Sequence, residues 1–267
     1  WLFFEKFGLI VLSTFSFLAF AFFLTPTELG LATLTIVICE MIGSFYNAVF
    51  ENPLVRRNCD QEDELSTVFW FGGLTAGLTM TMVALGFYFF DNSDALWLML
   101  LFSAISVLVS VQSRPYIAKL RCKRKFKTLA VRTLWGKIIG AFAGIYAAYS
   151  NAGEWSLIIQ LTVMNTVAFT VLLFSDKSIP FAIPSVKAYL SIFKEGFSIG
   201  VRKLLNGLFG RGLVIILSIV ATPAIIGYYS FGRRLVELPK LALTEALASY
   251  SLPVFSRRTH DTVKVSA

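Results

Sequence analysis

The sequence predicts an all-α, polytopic membrane protein of about eight transmembrane helices, and its composition is the first reason. Hydrophobic residues make up 56% of the 267 residues and charged residues only 15%, with a mean hydropathy of +0.71. A soluble domain is roughly 45–50% apolar and about 25% charged, and disordered chains are poorer still in apolar residues. A collagen-like repeat or a disulfide scaffold does not fit 18 Gly and 3 Cys.

Eight apolar segments give the second reason, because each is close to the 20 or so residues that a helix needs to cross a bilayer. They span residues 7–24, 29–50, 68–90, 95–113, 128–150, 155–174, 195–220 and 227–255. The first six are clear, whereas Arg202, Lys203 and Arg211 interrupt the seventh and four charged residues with Pro239 weaken the eighth. Because the chain starts at Trp1 without Met, we expect it to be a fragment.

The loops alternate in length and charge. One set, residues 25–28, 91–94, 151–154 and 221–226, is short and contains four acidic residues and no basic one. The other set contains 16 of the 24 Lys and Arg residues. Since an excess of Lys and Arg in loops marks the cytoplasmic side, the pattern predicts that this second set of loops lies in the cytoplasm. Both the N-terminus and the end at residue 267 would face the cytoplasm.

Seven basic residues lie between Arg114 and Lys127, next to a predicted membrane helix. A basic run can bind nucleic acid, but no recognition module accompanies this one. Basic clusters beside a membrane helix are typically attracted to anionic lipid headgroups. We therefore expect residues 114–127 to contact the bilayer surface, with no nucleic-acid partner.

Eight further Lys and Arg residues lie within or at the edges of predicted helices. Some near helix ends, such as Arg132 and Arg202, could extend to the headgroups. Arg211 lies in mid-span, where facing lipid costs at least roughly 2.5–3.5 kcal/mol. Helical spacing places Lys203 and Arg211 near one stripe with three glycines. We expect these cations to face a wet interior or to have counter-ions.

Glu40 lies deep in the second span, with Asn47 and Glu51 on the same helical face. An ionisable group at this depth is either a proton or sodium site or the counter-ion of a nearby Arg, and the sequence leaves both open. Asn165 gives the sixth span a polar edge, which suits hydrogen bonding between helices.

Several short motifs occur in an order and spacing typical of one transporter family. Residues 24–30 (Leu-Thr-Pro-Thr-Glu-Leu-Gly) resemble that family's turn after its first helix, and Lys194-Glu195-Gly196 resembles the start of its seventh. Further similar segments are residues 67–70, 119–127, 151–156, 227–230, 238–239 and 253–256. The chain resembles the Wzx-type oligosaccharide flippases, polysaccharide export proteins of the MATE-like MOP exporter superfamily.

The resemblance implies two six-helix lobes around a central cavity, working by alternating access. Residues 1–174 would form the first lobe, 175–194 a cytoplasmic linker, and 195–267 the first two helices of the second lobe. The implied substrate is a polyprenyl-diphosphate-linked oligosaccharide for O-antigen, capsule or exopolysaccharide, with polysaccharide polymerase or assembly proteins as partners.

The resemblance also gives the polar helix residues a role. A cationic cavity suits a diphosphate, because Arg offers paired donors to phosphate and Lys a point charge. The expected substrate-binding cations are Arg211, Lys203, Arg202, Arg132 and Lys137. Asn47 and Asn165 would add polar groups to the cavity, and Glu40 would be the coupling group or counter-ion.

Two other functions make different demands on the sequence. An ion-coupled multidrug or toxin exporter of the same superfamily needs an acidic cavity, whereas the predicted interior is mainly basic. A membrane-embedded glycan polymerase or transferase needs a sizeable catalytic loop, and the short loops here are residues 25–28, 91–94, 151–154 and 221–226. Since the sequence offers no P-loop, carboxylate pair or metal-ligand cluster, we expect a transporter without enzyme activity, cofactor or metal.

Overall fold

The computed structural model describes residues 2–57, 59, 61–90, 94–175 and 184–237, and every regular element in these ranges is helical. The helices are α1 (Leu2–Phe23), α2 (Pro26–Arg56), α3 (Glu62–Thr67), α4 (Gly73–Phe90), α5 (Asp94–Gln112), α6 (Arg114–Cys122), α7 (Phe126–Tyr149), α8 (Trp155–Ser175) and α9 (Val186–Val220). A further helix, α10, occupies residues 223–237. Five π-helical residues, Val68–Gly72, join α3 to α4. The all-α prediction is confirmed for these ranges.

Five helices are long and apolar enough to cross a membrane. They are Pro26–Arg56, Glu62–Phe89, Ala95–Cys122, Phe126–Tyr149 and Trp155–Ser175, with a shorter apolar stretch at Gly8–Phe23. These helices coincide with the first six predicted spans, so the prediction of a polytopic membrane protein is confirmed. The eighth predicted span is described only as far as residue 237, and its remainder, 238–255, lies outside the described residues.

The seventh predicted span begins earlier than expected. Helix α9 starts at Val186, inside the range 175–194 that was predicted as a linker, of which residues 176–183 lie outside the described part. Ile192 is fully buried, and Tyr189 and Phe193 stack with ring centroids 5.8 Å apart. Because these apolar residues are three to four positions apart, they lie on one face of the helix and can be buried together. Lys187 and Lys194 of the same segment remain exposed.

Helix α2 is the central element of the unit formed by Trp1–Ser230. Its start is fixed by a capping box, in which the Thr25 backbone N–H donates to Glu28 Oε2 (2.8 Å) while Thr25 Oγ1 accepts from the Glu28 N–H. The helix packs against α5, α6 and α9. We call the end of α2 near Pro26 the turn end and the end near Arg57 the loop end.

Glycines bring α9 and α10 into direct backbone contact with α2 at both ends. At the loop end, a Cβ on Gly196 would lie 1.9 Å from the Val49 carbonyl oxygen. At the turn end, a Cβ on Gly30 would lie 1.8 Å from the Pro223 oxygen, and one on Gly227 would lie 1.8 Å from the Pro26 oxygen. Only residues without a Cβ permit such an approach.

We predict that Gly196→Ala destabilises the protein by about 1–3 kcal/mol, the usual range for overpacking, because the added methyl meets rigid backbone. Gly212→Ala is the matched control on the same helix, since a Cβ there would meet nothing within 4 Å. This control should be neutral or stabilising by up to about 1 kcal/mol, since Ala is the better helix former. Melting in detergent measures both, and equal melting temperatures would contradict the close packing.

Candidate functional site

The polar face of α2 contacts three other helices through Glu40, Asn47 and Glu51. These residues are seven and four positions apart and therefore lie on one side of the helix. Glu40 contacts α9, Asn47 contacts α5 and Glu51 contacts α6. The candidate site is the set of charged and polar contacts along this face.

Arg211 of α9 forms an ion pair with Glu40 through its Nη2 and the carboxylate Oε2. The two side chains remain 33% and 43% exposed, so a ligand could reach either of them. The sequence placed both groups in mid-helix without relating them directly. The structure brings them together, which is the geometry that a counter-ion role requires, and a coupling role for Glu40 stays a prediction.

The other predicted cations fall into two groups. Arg202 and Lys203 lie exposed on α9, two to three turns before Arg211. Arg132 and Lys137 are half-buried on α7, which packs against α1 and α8. The three cations of α9 thus share one helix, whereas the two of α7 belong to a different helix pair. A common cavity for all five stays a prediction.

Both predicted cavity asparagines donate hydrogen bonds to serines of α5. Asn165 Nδ2 donates to Ser106 Oγ at 2.7 Å, and Asn47 Nδ2 lies at 3.5 Å from Ser110 Oγ. The buried Oδ1 of Asn47 has no hydrogen-bond partner in the described residues. These contacts fit hydrogen bonding between helices, and a role in a cavity wall remains a prediction for both residues.

At the loop end, Glu51 holds two arginines of α6. Arg114 Nη1 donates to Glu51 Oε2 at 2.9 Å, and Arg121 Nη1 lies 2.6 Å from Oε1. Arg114 also donates to the Ser110 carbonyl and hydroxyl oxygens, both at 3.2 Å. The Glu51 side chain is only 9% exposed and that of Arg114 only 18%. Arg114 of the predicted basic segment is therefore turned into the protein, whereas Arg121 pairs with Glu51 but stays 51% exposed. Residues 114–122 are helical.

A second cluster at the loop end centres on Arg57, the residue that ends α2. Its Nε and Nη2 donate to Glu195 Oε2 at 3.0 and 2.7 Å, its Nη2 also to Ser191 Oγ at 3.1 Å, and its Nη1 to Glu64 Oε1. Burial lowers the pKa of Arg57, but the hydrogen bonds and charges of Glu195 and Glu64 outweigh it and raise the pKa above its ordinary value. We call Arg57, Glu64, Ser191 and Glu195 the loop-end lock.

Sequence reasoning missed both loop-end clusters. Its charge count treated Arg57, Arg114 and Arg121 as loop residues that set topology, yet each has a carboxylate partner on another helix. The available signal was the acidic residues at helix ends on the same side, Glu51, Glu64 and Glu195, which balance three of those cations.

A small cavity of roughly 240 Å³ lies at the turn end. Its lining is almost entirely apolar: Gly30, Leu31, Leu34, Leu96, Ser218, Ala221, Pro223 and Ile226. Pockets that bind drug-sized ligands have volumes of about 300–1,000 Å³ and provide a few polar contacts. The polar contacts of the candidate site are elsewhere, on the α2 face with Glu40, Asn47 and Glu51.

Comparison with known proteins decides the family. The family model described as "Polysaccharide biosynthesis protein" matches residues 19–267, which is most of the chain. The chain belongs to the polysaccharide biosynthesis protein family. The predicted resemblance to polysaccharide export proteins is confirmed at this level, and no solved structure matches the chain.

Two curated relatives are similar to most of the chain. The chain is 23% identical over 245 residues to the succinoglycan biosynthesis transport protein ExoT of Rhizobium meliloti (strain 1021), covering 89% of the chain and 49% of ExoT. It is 23% identical over 221 residues to the amylovoran biosynthesis protein AmsL of Erwinia amylovora, covering 79% of the chain and 56% of AmsL. The chain spans about half the length of these family members.

Proposed function

We propose that the protein takes part in moving a polysaccharide precursor across a membrane. The family match over residues 19–267 is the observation that carries this proposal, and one relative, ExoT, is named a transport protein. The helical, multi-pass architecture supports it, because transporters place their substrate sites between membrane-spanning helices. We include in the proposal that the protein acts without enzyme chemistry of its own.

The proposed substrate is a polyprenyl-diphosphate-linked oligosaccharide, bound through its diphosphate. Arg211, with Lys203 and Arg202 on the same helix, would supply the first contacts, and Arg132 and Lys137 would add to them. Arg211 is partly exposed and pairs with one carboxylate in the described part of the chain, that of Glu40, so a phosphate could replace that partner. Arg binds phosphate with two parallel hydrogen bonds, which favours this exchange.

The proposed mechanism is alternating access between two lobes. Residues 1–174 would belong to the first lobe and the helices after residue 194 to the second, so the contacts between α2 and α9 would join the lobes. The proposal includes a cytoplasmic (inner) membrane location, and the charge bias of the loops supports an orientation with the loop end in the cytoplasm. Polysaccharide polymerase or assembly proteins are the proposed partners on the glycan pathway.

Gene inactivation in the native host tests the proposed function. We expect surface polysaccharide to be lost and lipid-linked repeat units to accumulate, with both effects reversed by the intact gene. Normal surface polysaccharide would contradict the proposal. Recovery of dye efflux without recovery of polysaccharide would instead favour a drug exporter of the same superfamily.

We also propose that the turn between α6 and α7 contacts anionic lipid. Arg114 is largely buried against Glu51, whereas Arg121 is 51% exposed although it pairs with the same carboxylate, and Lys127 is also exposed. Between them, Lys123, Arg124 and Lys125 are three adjacent exposed cations, followed by Phe126, which is 43% exposed. No acidic residue occurs between positions 114 and 127 to balance these charges. Three adjacent cations with an exposed aromatic ring fit a bilayer surface that contains anionic headgroups.

The triple variant Lys123→Gln, Arg124→Gln, Lys125→Gln should retain fewer phosphatidylglycerol molecules than the parent when purified from mixed phosphatidylcholine and phosphatidylglycerol vesicles. Native mass spectrometry counts the retained lipids. Lys187→Gln with Lys194→Gln, also exposed cations, is the matched control and should retain the parental number. Equal retention in the triple variant would show that the turn does not bind anionic lipid.

A further inference from the structure

The loop-end lock connects three parts of the chain that are distant in sequence. Arg57 ends α2, Glu64 lies in α3, and Ser191 and Glu195 lie in α9. One guanidinium donates to all three partners, and residues 57 and 195 are 138 positions apart. No other residue in the described part of the chain makes so many charged hydrogen bonds between these helices.

The same end of α9 is held by two further polar contacts. The Ser185 backbone N–H donates to Thr67 Oγ1 at 3.0 Å, and Tyr189 OH donates to Thr75 Oγ1 at 3.1 Å. These contacts reach α3 and α4, so the first part of α9 is fastened by hydrogen bonds and ion pairs. Close backbone packing occurs at both ends, with Gly196 against Val49 at the loop end and Gly227 against Pro26 at the turn end. At the turn end, Val37, Val214 and Ile226 also form an apolar cluster.

The loop end therefore has a charged cluster in addition to its close packing, and the Arg211–Glu40 pair lies between the two ends. The lock side chains of Arg57 and Glu195 are 30% and 29% exposed, so their charges regain water when they separate. A charge-assisted bond of this kind is strong enough to favour a closed state and weak enough to break reversibly. Bistable contacts of this type are what helix movements between two conformations require.

We propose that the loop-end lock holds α9 closed against α2 and α3, and that its rupture opens this end of the protein. The inference rests on the proposed transport function, because only a protein with alternating access needs one end to open while the other stays shut. It identifies Arg57, Glu64 and Glu195 as conformational residues that do not themselves bind substrate.

Cysteine accessibility tests this proposal without any substrate. The full chain, with Cys39, Cys59 and Cys122 replaced by Ala, carries one reporter on α9, either Ile192→Cys near the lock or Val214→Cys toward the turn end. Ile192 and Val214 are both buried, at 0% and 3% exposure. Unsealed membrane fragments give a water-soluble maleimide access to both faces, and the labelling rate is measured.

Glu195→Gln keeps the side-chain shape and removes its charge. We expect it to raise the labelling rate at Ile192→Cys by about tenfold, the population change expected when hydrogen bonds between two charged groups become hydrogen bonds from Arg57 to a neutral amide oxygen. The rate at Val214→Cys should stay unchanged. Arg57→Ala should raise the rate at least as much, because it removes the bonds to Glu195 and Ser191 together. Adding Glu195→Gln to Arg57→Ala should change the rate little, because Glu195 has then already lost Arg57. Arg56→Gln is the control and should leave the labelling rate unchanged. The Arg56 side chain is 69% exposed and lies 3.7 Å from Glu195, so this contact should contribute little.

Three results would contradict the proposed role of the loop-end lock. An unchanged rate at Ile192→Cys would mean that the cluster does not hold this end closed. Increased rates at both reporters would mean that Glu195 supports the whole packing of α9, as a purely structural residue does. An increase at Val214→Cys alone would place the opening at the wrong end. Because labelling requires no glycan, these outcomes are distinguishable from a failure of polysaccharide export in the inactivated host.

Discussion

Replacing Arg211 by Gln is expected to reduce surface polysaccharide by about ten- to a hundredfold while the protein is still made at parental levels. The reduction corresponds to one lost charge-assisted contact to the diphosphate, about 1.5–3 kcal/mol. Protein levels should hold because Arg211 and Glu40 are 33% and 43% exposed, and ion pairs with that much access to water contribute little to stability. Surface polysaccharide and membrane protein are measured on the same cells.

Two variants control for effects other than charge at this position. Lys187→Gln removes an exposed cation near the other end of the same helix and should leave export at the parental level. Arg211→Lys keeps the positive charge without the paired donors and should give intermediate export. Normal export by the Arg211→Gln and Lys203→Gln double variant would contradict the proposed role of these cations in binding the substrate.

Glu40→Gln separates the two interpretations of that carboxyl group. If Glu40 is only the counter-ion of Arg211, the variant should still export polysaccharide, with an unchanged dependence on pH. If Glu40 couples transport to protons, substrate and carboxylate compete for Arg211, and the pH dependence of export should disappear in the variant. Export assayed across a pH series distinguishes these outcomes.

The transmembrane helices could be predicted from the sequence because their signal is local. A run of about 20 apolar residues must bury its backbone polar groups, and a helix does so within the run itself. The same reasoning placed Arg211 and Glu40 in mid-helix, where an unpaired charge is costly. Their contact joins residues 171 positions apart and depends on how α2 and α9 cross, which no local pattern encodes.

At the loop end, by contrast, the charge pattern alone did not reveal the contacts. Counting Lys and Arg by loop treated Arg57, Arg114 and Arg121 alike, although Glu51, Glu64 and Glu195 neutralise them in the fold. Helix α9 begins before the predicted seventh span for a related reason, since Lys187 and Lys194 lower the hydropathy of a segment whose Tyr189, Ile192 and Phe193 are packed. Hydropathy averages over faces of a helix, whereas packing separates them.

Glu51 is where we expect the largest effect on stability. Glu51→Ala should lower the free energy of unfolding by about 3–5 kcal/mol, the usual cost of leaving a buried charge without its partner. The charge left without a partner is that of Arg114, whose side chain is only 18% exposed. The Arg121 side chain is 51% exposed and can be solvated by water instead. Melting in detergent and the yield of monodisperse protein measure the loss. Glu62→Ala removes an exposed carboxylate and should melt like the parent.

A second substitution tests whether the loss comes from Arg114. Replacing a buried ion pair by apolar residues of similar size is often neutral or stabilising, because neither charge then has to be desolvated. The double variant Glu51→Leu, Arg114→Met should therefore recover most of the stability that Glu51→Ala loses, although Arg114 also gives up its bonds to Ser110. If the double variant is as unstable as the sum of its single variants, the two residues act independently, and Glu51 is needed for some contact other than Arg114.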